Sequence, residues 1–321
     1  MRQMQVDTVE LPLARSFSIA RGTRTAVTVV RITLEENGVI GLSECTPTLH
    51  YHETAESVCT QLALVEHAVN QGITRDALQD LLPAGSARNA LDCALWRLEA
   101  AQRGQSLWQI LQLQPPQKIV TAETLSLDSL ENMIAAAKNA VSRGAKLLKI
   151  KLNNDDILSK VAGIRHVAPD CTLIIDANES WAQQDLQSLF NSLEKYGIAM
   201  VEQPLPLGRD DVLRTVHAPF PICADESCHT AEDIAALSDR YQMINIKLDK
   251  CGGLTEALAM VTAAQKSNMR IMVGCMLGSS LAMEAALPIA TLAEFVDLDG
   301  PIWLAGDSSP FLTYSQGHIW L

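Results

Sequence analysis

The sequence predicts an α/β fold, a TIM-type (β/α)7β barrel with an N-terminal α+β capping domain, on three observations. Eight short apolar runs succeed one another between Ile119 and Leu298, helical spacing fills the gaps between them, and a hairpin signal with two helical stretches comes before them all. Alternation of this kind builds a parallel sheet, and eight units are enough to close it. An open doubly wound sheet would carry a Gly-x-Gly-x-x-Gly loop after its first strand, and the chain has none.

The capping domain is expected over residues 1–115. Met4 to Leu11 alternates loosely, Thr25 to Leu34 is rich in β-branched residues, and Glu36-Asn37-Gly38 before Val39 to Ser43 is a hairpin turn signal. Between the first two strands, Arg15 to Arg24 reads as a polar surface loop holding Gly22 and the cations Arg21 and Arg24. Apolar spacing becomes helical over Glu53 to Asn70 and again over Ser86 to Arg103, where Ser86 can cap and Gly104 can stop the second helix. Pro115-Pro116 ends the domain.

The barrel is expected over 116–299. Its strands are Ile119 to Leu125, Lys146 to Leu152, Thr172 to Ala177, Ala199 to Gln203, Pro221 to Asp225, Met243 to Leu248, Arg270 to Gly274 and Glu294 to Leu298. Helical stretches such as Ser129 to Ser142, Gln184 to Leu193 and Leu254 to Ser267 are expected in each gap. After the eighth strand, Gly300, Pro301 and Gly306 break the pattern, so the eighth helix is expected to be missing and the tail, 300–321, to return to the capping domain.

Composition narrows the function classes. A net charge of −12 disfavours nucleic acid and anionic membrane as partners, because both need clustered cations. Eight cysteines without a Cys-x-x-Cys pair indicate neither a zinc site nor a redox motif, and fit a reducing compartment. Asp7 and Glu10 interrupt the N-terminus where a signal peptide needs an apolar core, and no run approaches the roughly 20 apolar residues of a membrane span. A cytoplasmic protein is expected, with a homo-oligomer left open.

In a parallel barrel the chemistry sits where strands end. Those ends read Thr124, Lys149 and Lys151, Asp176 and Asn178, Glu202, Asp225, Lys247 and Asp249, Cys275, then Asp297 and Asp299. An acid closing an apolar run is ordinarily a cap or turn residue. Here Lys151, Asp176, Glu202, Asp225 and Lys247 recur every 22 to 26 residues, so polar groups stand at equivalent heights on five successive strands.

Three converging carboxylates, Asp176, Glu202 and Asp225, need protonation or a divalent cation to coexist. All-oxygen donors favour Mg²⁺ or Mn²⁺ over Zn²⁺, one ion per chain. Lys151 and Lys247 lie on strands two and six, opposite one another in an eight-membered ring. Lys149 projects to the same side as Lys151, and a neighbouring cation with partial burial would lower the pKa of Lys151 toward that of a base. A substrate carboxylate held between two opposed bases can lose its α-proton to one and regain one from the other, with the enediolate charge offset by the metal. Configuration then inverts.

Taken together, Ala90-Leu91-Asp92-Cys93-Ala94-Leu95-Trp96, Lys149-Ile150-Lys151, Asp176-Ala177-Asn178, Val201-Glu202-Gln203-Pro204, Ala224-Asp225-Glu226-Ser227 and Asn245-Ile246-Lys247 resemble the enolase superfamily, in its muconate-lactonising subgroup. The resemblance covers essentially the whole chain. It implies Asp176, Glu202 and Asp225 as Mg²⁺ ligands, Lys151 and Lys247 as the acid/base pair, and an N-terminal specificity cap whose 15–24 segment is a lid, with Arg24 or Arg21 meeting an anionic distal group. Thr124, Lys149 and Cys275 complete the expected substrate surface, Cys275 as a lining residue, since no His stands near enough to make it a nucleophile.

Asp297-Leu298-Asp299 resembles the motif with which dipeptide epimerases hold a free α-ammonium. An ordinary exposed acid pair is the competing interpretation of any Asp-x-Asp. The resemblance implies epimerisation between L-Ala-D-Glu and L-Ala-L-Glu, with a role in reusing murein peptides. An o-succinylbenzoate synthase, an N-acylamino acid racemase or a cycloisomerase would use the same framework but leave Asp297 and Asp299 without work. A non-catalytic metal-binding barrel is the alternative from another class. One departure stands out: Gly278 occupies a position where many members carry an acid.

Overall fold

The computed structural model describes residues 1–321. Its N-terminal unit is an antiparallel sheet of β1 (Gln3–Ile19), β2 (Gly22–Glu36) and β3 (Val39–Cys45). Helices α1 (Ala55–Asn70), α2 (Arg75–Leu81) and α3 (Ser86–Gln102) back it, and a short α4 (Leu107–Ile110) leads out. Asn37 and Gly38, both at positive φ (55° and 79°), make the expected turn between β2 and β3. Val30, Ile32 and Leu34 alternate along β2 into a core shared with Val58, Leu62, Leu91 and Leu98.

Helix α3 is buried on nearly every side because the sheet covers one face and the barrel the other. Its polar residues therefore face barrel donors and acceptors: Asn89 donates to Asp249 at 2.9 Å, and Asp92 accepts from the Thr255 amide at 2.9 Å. Gly253, at φ 110°, leaves no room for a side chain, since a Cβ there would lie 2.6 Å from the Asp92 side chain.

The barrel opens with β4 (Lys118–Val120) and β5 (Ala122–Leu125), then α5 (Leu130–Ser142), β6 (Leu147–Lys151), α6 (Ile157–Val167), β7 (Thr172–Asp176) and α7 (Leu186–Glu194). It continues with β8 (Ile198–Glu202), β9 (Ile222–Ala224), α8 (Ala231–Leu237), β10 (Met243–Ile246), α9 (Leu248–Cys251), α10 (Leu254–Lys266), β11 (Arg270–Gly274), α11 (Ser280–Ala290) and β12 (Phe295–Asp297). The eight parallel strands run in order from β5 to β12. Closure between β12 and β5 is made by side chains: Leu298 N donates to Thr121 Oγ1 at 3.1 Å, and Thr124 N to Asp299 Oδ2 at 2.7 Å. One residue from each strand, Ala122, Leu147, Ile174, Met200, Cys223, Met243, Met272 and Phe295, plugs the lower barrel with an apolar layer. Charged side chains are thus confined to the upper end.

Four features differ from the sequence expectation. The first barrel strand is not continuous from Ile119 to Leu125: it breaks at Thr121, and β4 leaves the barrel to pair with a C-terminal hairpin, β13 (Thr313–Ser315) and β14 (His318–Trp320). The tail does return to the capping sheet, through the Leu13–Leu304 bridge, Ala305 N to Pro12 O, Arg31 to Ser308 Oγ and Phe17 against Trp303, but it does not stop there and ends on the barrel. The gap between β8 and β9 holds a 3-10 turn, Asp211–Arg214, in place of an α-helix, in a short stretch bracketed by Pro204 and Pro206 on one side and Pro219 and Pro221 on the other. Finally, Arg15 to Arg24 is no loop but the end of a long hairpin, with Phe17 paired to Arg24, Ser18 to Thr23 and Ile19 to Gly22 beyond a register shift after Pro12.

All eight cysteines are free, six of them buried. No helix is long and apolar enough to cross a membrane.

Candidate active site

The upper barrel layer and the cap enclose a cavity of about 420 Å³, lined among others by Arg24, Thr124, Lys149, Lys151, Asp225, Lys247, Cys275, Asp297 and Asp299. Register explains the convergence. Lys151, Asp176 and Glu202 are consecutive Cα partners across β6, β7 and β8. Glu202 pairs with Cys223, so Asp225 stands two residues farther along, just beyond β9, and Lys247 just beyond β10. The heights are thus close but not equal.

Asp176, Glu202 and Asp225 are almost wholly buried, and lysines lie among them. Lys151 Nζ is 2.6 Å from Asp176 Oδ2, and Lys247 Nζ is 2.6 Å from Asp225 Oδ2. Lys149, itself 1% exposed, spends its ammonium on Glu202 and Asp297, both at 2.8 Å, and on Asp176 at 3.2 Å. Burial alone would raise Asp176 and Asp225, but Lys151 and Lys149 in one case and Lys247 and Lys250 in the other hold both well below the usual carboxylate range. Glu202 is pushed up to about 7 by burial and by Asp176. Burial pulls Lys247 down, yet Asp225 and Glu202 outweigh it and its pKa is raised.

The donor set suits a hard divalent cation: three buried carboxylates at neighbouring strand ends, with no thiolate or imidazole among them. Glu202 Oε2 lies 2.8 Å from Lys149 Nζ but accepts no hydrogen bond, so a buried oxygen with free coordination capacity faces this cluster.

Across the cavity, Asp297 and Asp299 are each 5% exposed, which removes the exposed-loop interpretation of the pair. Asp297 Oδ1 lies 3.4 Å from Thr124 Oγ1, and Asp299 Oδ2 accepts from Thr124 N and, at 3.3 Å, from Trp303 Nε1. Burial and the charge of Asp297 push Asp299 up to about 7. Cys275 lines the same wall, and burial with Asp297 nearby raises its thiol well above the ordinary value, so no thiolate nucleophile forms there. Gly278 faces the cap: a Cβ would come within 3.3 Å of Thr46 Oγ1 and 3.5 Å of Glu44 Oε1. An acid there would meet Glu44, which already accepts from Ser279 N at 2.8 Å.

The structure separates the two lid arginines. Arg21 is consumed by Glu226 at 2.9 Å and Glu179 at 3.1 Å, whereas the one contact of Arg24 is a 3.4 Å hydrogen bond to Thr48 Oγ1. Several supporting residues were not evident from sequence. Lys250 is fully buried and bonds Asp225 Oδ1 at 2.8 Å and Asn245 O at 3.0 Å. Asn245 donates to Glu202 Oε1 at 2.8 Å, and Gln203 Oε1 accepts from Asp225 N at 2.9 Å. Asn245 and Gln203 sit inside quoted motifs, but Lys250 carries no such signal.

Fold and site together define a member of the enolase superfamily, and the chain belongs to it: the family described as mandelate racemase / muconate lactonizing enzyme, N-terminal domain, matches residues 1–112, and enolase C-terminal domain-like matches 132–321. Within it, the L-Ala-D/L-Glu epimerase of Escherichia coli (strain K12) is 47% identical over 321 residues, covering 100% of both chains. An N-acetyl-D-glutamate racemase of Pseudoalteromonas sp is 38% identical over 91% of this chain and 92% of its own. Among solved structures, an enolase family member from Agrobacterium tumefaciens with bound sodium and L-Ala-L-Glu superposes with a TM-score of 0.96 at 43% identity, covering 100% of this chain and 98% of that one. A dipeptide epimerase from Enterococcus faecalis complexed with Mg and L-Leu-L-Tyr gives 0.91 at 27% identity, over 99% and 96%.

Proposed function

We propose that the chain is an isomerase that interconverts L-Ala-D-Glu and L-Ala-L-Glu. The observation that carries this is the composition of one cavity: two lysines held on Asp176 and Asp225, a buried carboxylate pair in the opposite wall, and an arginine with spare donors in the lid. Asp297 and Asp299 take the substrate ammonium, and Arg24 takes the distal carboxylate of the glutamyl residue. Lys151 and Lys247 address opposite faces of the α-carbon, one as the neutral amine that removes the proton and the other as the ammonium that returns one. The cap and hairpin exclude water while the carbanion is present.

Asp176, Glu202 and Asp225 are the residues that would hold one Mg²⁺ or Mn²⁺. When bound, the cation relieves Lys247 of the attraction that raises its pKa and offsets the second negative charge developing on the substrate carboxylate. The similarity to Mg-bound and dipeptide-bound relatives supports this assignment. A dipeptide released from murein is the natural source of such a substrate, and free, buried cysteines suit a reducing cytoplasm.

The 38% identity to an N-acetyl-D-glutamate racemase gives a second substrate a specific claim. That ligand has no ammonium, so the two readings differ at Asp299. The test is α-proton exchange in D₂O with Mg²⁺, followed by ¹H NMR, for L-Ala-L-Glu and N-acetyl-glutamate side by side. Exchange of the dipeptide is expected to dominate, and Asp299→Asn to weaken dipeptide turnover selectively. Turnover of N-acetyl-glutamate with none of any Ala-x dipeptide would overturn the proposal. Lys151→Ala and Lys247→Ala are expected to abolish exchange from opposite epimers.

A further inference from the structure

The hairpin formed by the ends of β1 and β2 crosses the barrel mouth and is fastened at both sides by different means. Near its base, Ser18 N donates to Ser126 Oγ at 2.7 Å and Leu127 N donates to Ser18 O at 2.9 Å, just past β5. Phe17 packs edge-on against Trp303, 4.7 Å between centroids, just past β12. At the tip, Arg21 reaches the loops that follow β7 and β9. It contacts Asn178 O at 3.3 Å, Glu179 at 3.1 Å and Glu226 at 2.9 Å.

Glu226 forms its one ion pair with Arg21. It is 1% exposed, and neither of its carboxylate oxygens accepts a hydrogen bond. A buried carboxylate in that state is costly unless a cation stays with it. Glu179 is shared with the second segment of the cap, since His50 Nε2 lies 3.3 Å from the same Oε2 that Arg21 meets. Neighbouring Tyr51 packs edge-on against His229 of the barrel, 4.9 Å between centroids.

We propose that Arg21 is a positioning residue: its ion pairs with buried Glu226 and with Glu179 hold the hairpin tip across the mouth, and so set Arg24, three residues on, over the cavity. The proposal deepens the epimerase reading, on which its kinetic consequence rests, but its structural consequence is independent of any substrate. Loss of Arg21 leaves the hairpin end held on one side only, through Ser126 and Trp303, so that its cross-strand pairs from Phe17–Arg24 to the tip fray. Arg24 then meets the substrate from a mobile strand end, which weakens binding more than it slows proton transfer.

Two measurements test it on the full-length protein. Amide hydrogen exchange, read by mass spectrometry without substrate, is expected to accelerate over residues 17–24 in Arg21→Ala, while Val27 to Leu34 of the same sheet stay as protected as in the parent. Kinetics with Mg²⁺ and L-Ala-L-Glu are expected to show KM raised by about tenfold or more and kcat changed by less than about threefold. Arg21→Lys keeps a charge near Glu226 and is expected to recover part of both. Arg24→Ala is expected to raise KM while leaving hairpin protection as in the parent. Unchanged exchange at 17–24 in Arg21→Ala overturns the latch whatever the substrate proves to be. Slower turnover at an unaltered KM overturns the positioning role even if the tip loosens.

Discussion

Gly274 ends β11 beside Asn245 and Lys247, and its missing side chain makes room for both. A Cβ at this position would lie 2.7 Å from Asn245 Oδ1, 2.9 Å from its Nδ2 and 3.1 Å from Lys247 Cε. Gly274→Ala therefore forces one of two movements. Asn245 is wholly buried and donates to Glu202 at 2.8 Å, so turning it costs a hydrogen bond to a buried carboxylate. Lys247 is the other neighbour, and pushing its Cε aside carries the ammonium off Asp225. Overpacking of this kind costs about 1–3 kcal/mol of stability, while a displacement of roughly 1 Å in a reacting group costs on the order of 10²-fold in rate. The rate effect should dominate and should be one-sided, because Lys151 stands on β6, away from the added methyl. The assay is α-deuterium wash-in from each epimer separately, with thermal unfolding recorded alongside. Exchange from the epimer served by Lys247 should fall about 10²-fold and exchange from the other far less. Equal losses from both epimers, or none with an unchanged melting temperature, would refute the packing argument.

Two further predictions concern residues away from the reacting carbon. Lys250→Met keeps the length of the side chain but leaves Asp225 Oδ1 and the Asn245 carbonyl without their donor, so unfolding in urea should shift by ~3–5 kcal/mol; a midpoint unmoved from the parent would show that Lys247 suffices for Asp225. Asp249, pressed between barrel and cap near Glu44 and Glu53, is pushed from an ordinary 3.8 up to about 7, chiefly by burial. Between those values the folded chain holds a proton the unfolded chain has released, so this group makes stability fall as pH rises from about 4 to about 7 and leaves it low above that. An asparagine can still accept from Thr46 N and Asn89 through its carbonyl oxygen and pays no such penalty. Asp249→Asn should thus be more stable than the parent at pH 8, by no more than the ~4 kcal/mol that three pKa units represent, with the gain vanishing toward pH 4. A pH-independent difference in melting temperature would contradict this.

What the sequence made legible follows from burial. Both faces of a parallel barrel strand are covered, so its strands read as apolar runs and a charged residue at the end is conspicuous. Lys151, Asp176 and Glu202 stand out for that reason, and the ladder sets them side by side. Glu179 and Glu226 each follow such a residue by one to three positions and look like solvated acids. What turns Glu179 back toward the lid is the backbone, with Asn178 and Glu179 at φ 42° and 66°, which no residue pattern announces. Lys250 lies one helical turn beyond β10, in α9, and reaches back to Asp225, a contact that neither the strand period nor the helix period encodes. The hairpin at 15–24 escaped for a different reason. Phe17 and Ile19 do alternate with Ser16 and Ser18, but Arg15, Arg21, Gly22 and Arg24 around them give the segment the composition of a polar loop, and its apolar side faces the barrel mouth and not the cap core.

Lys250 and Lys149 also change the charge count on which the chemistry depends. Counted from sequence, the site is three carboxylates and a dication with two lysines in reserve. Counted from contacts, Asp176, Glu202, Asp225 and Asp297 face Lys149, Lys151, Lys247 and Lys250, four charges of each sign already paired. A divalent cation added to a balanced set leaves two positive charges over. The substrate carboxylate cancels one, and a lysine that has given up its proton to act as the base cancels the other. Under the proposed function Asp299, outside the four pairs, would be left for the ammonium at the far end of the dipeptide. Loading the site with metal and substrate is thus what would make a neutral lysine electrostatically acceptable in a wall of carboxylates, with Lys149 and Lys250, outside the acid/base pair, setting that balance.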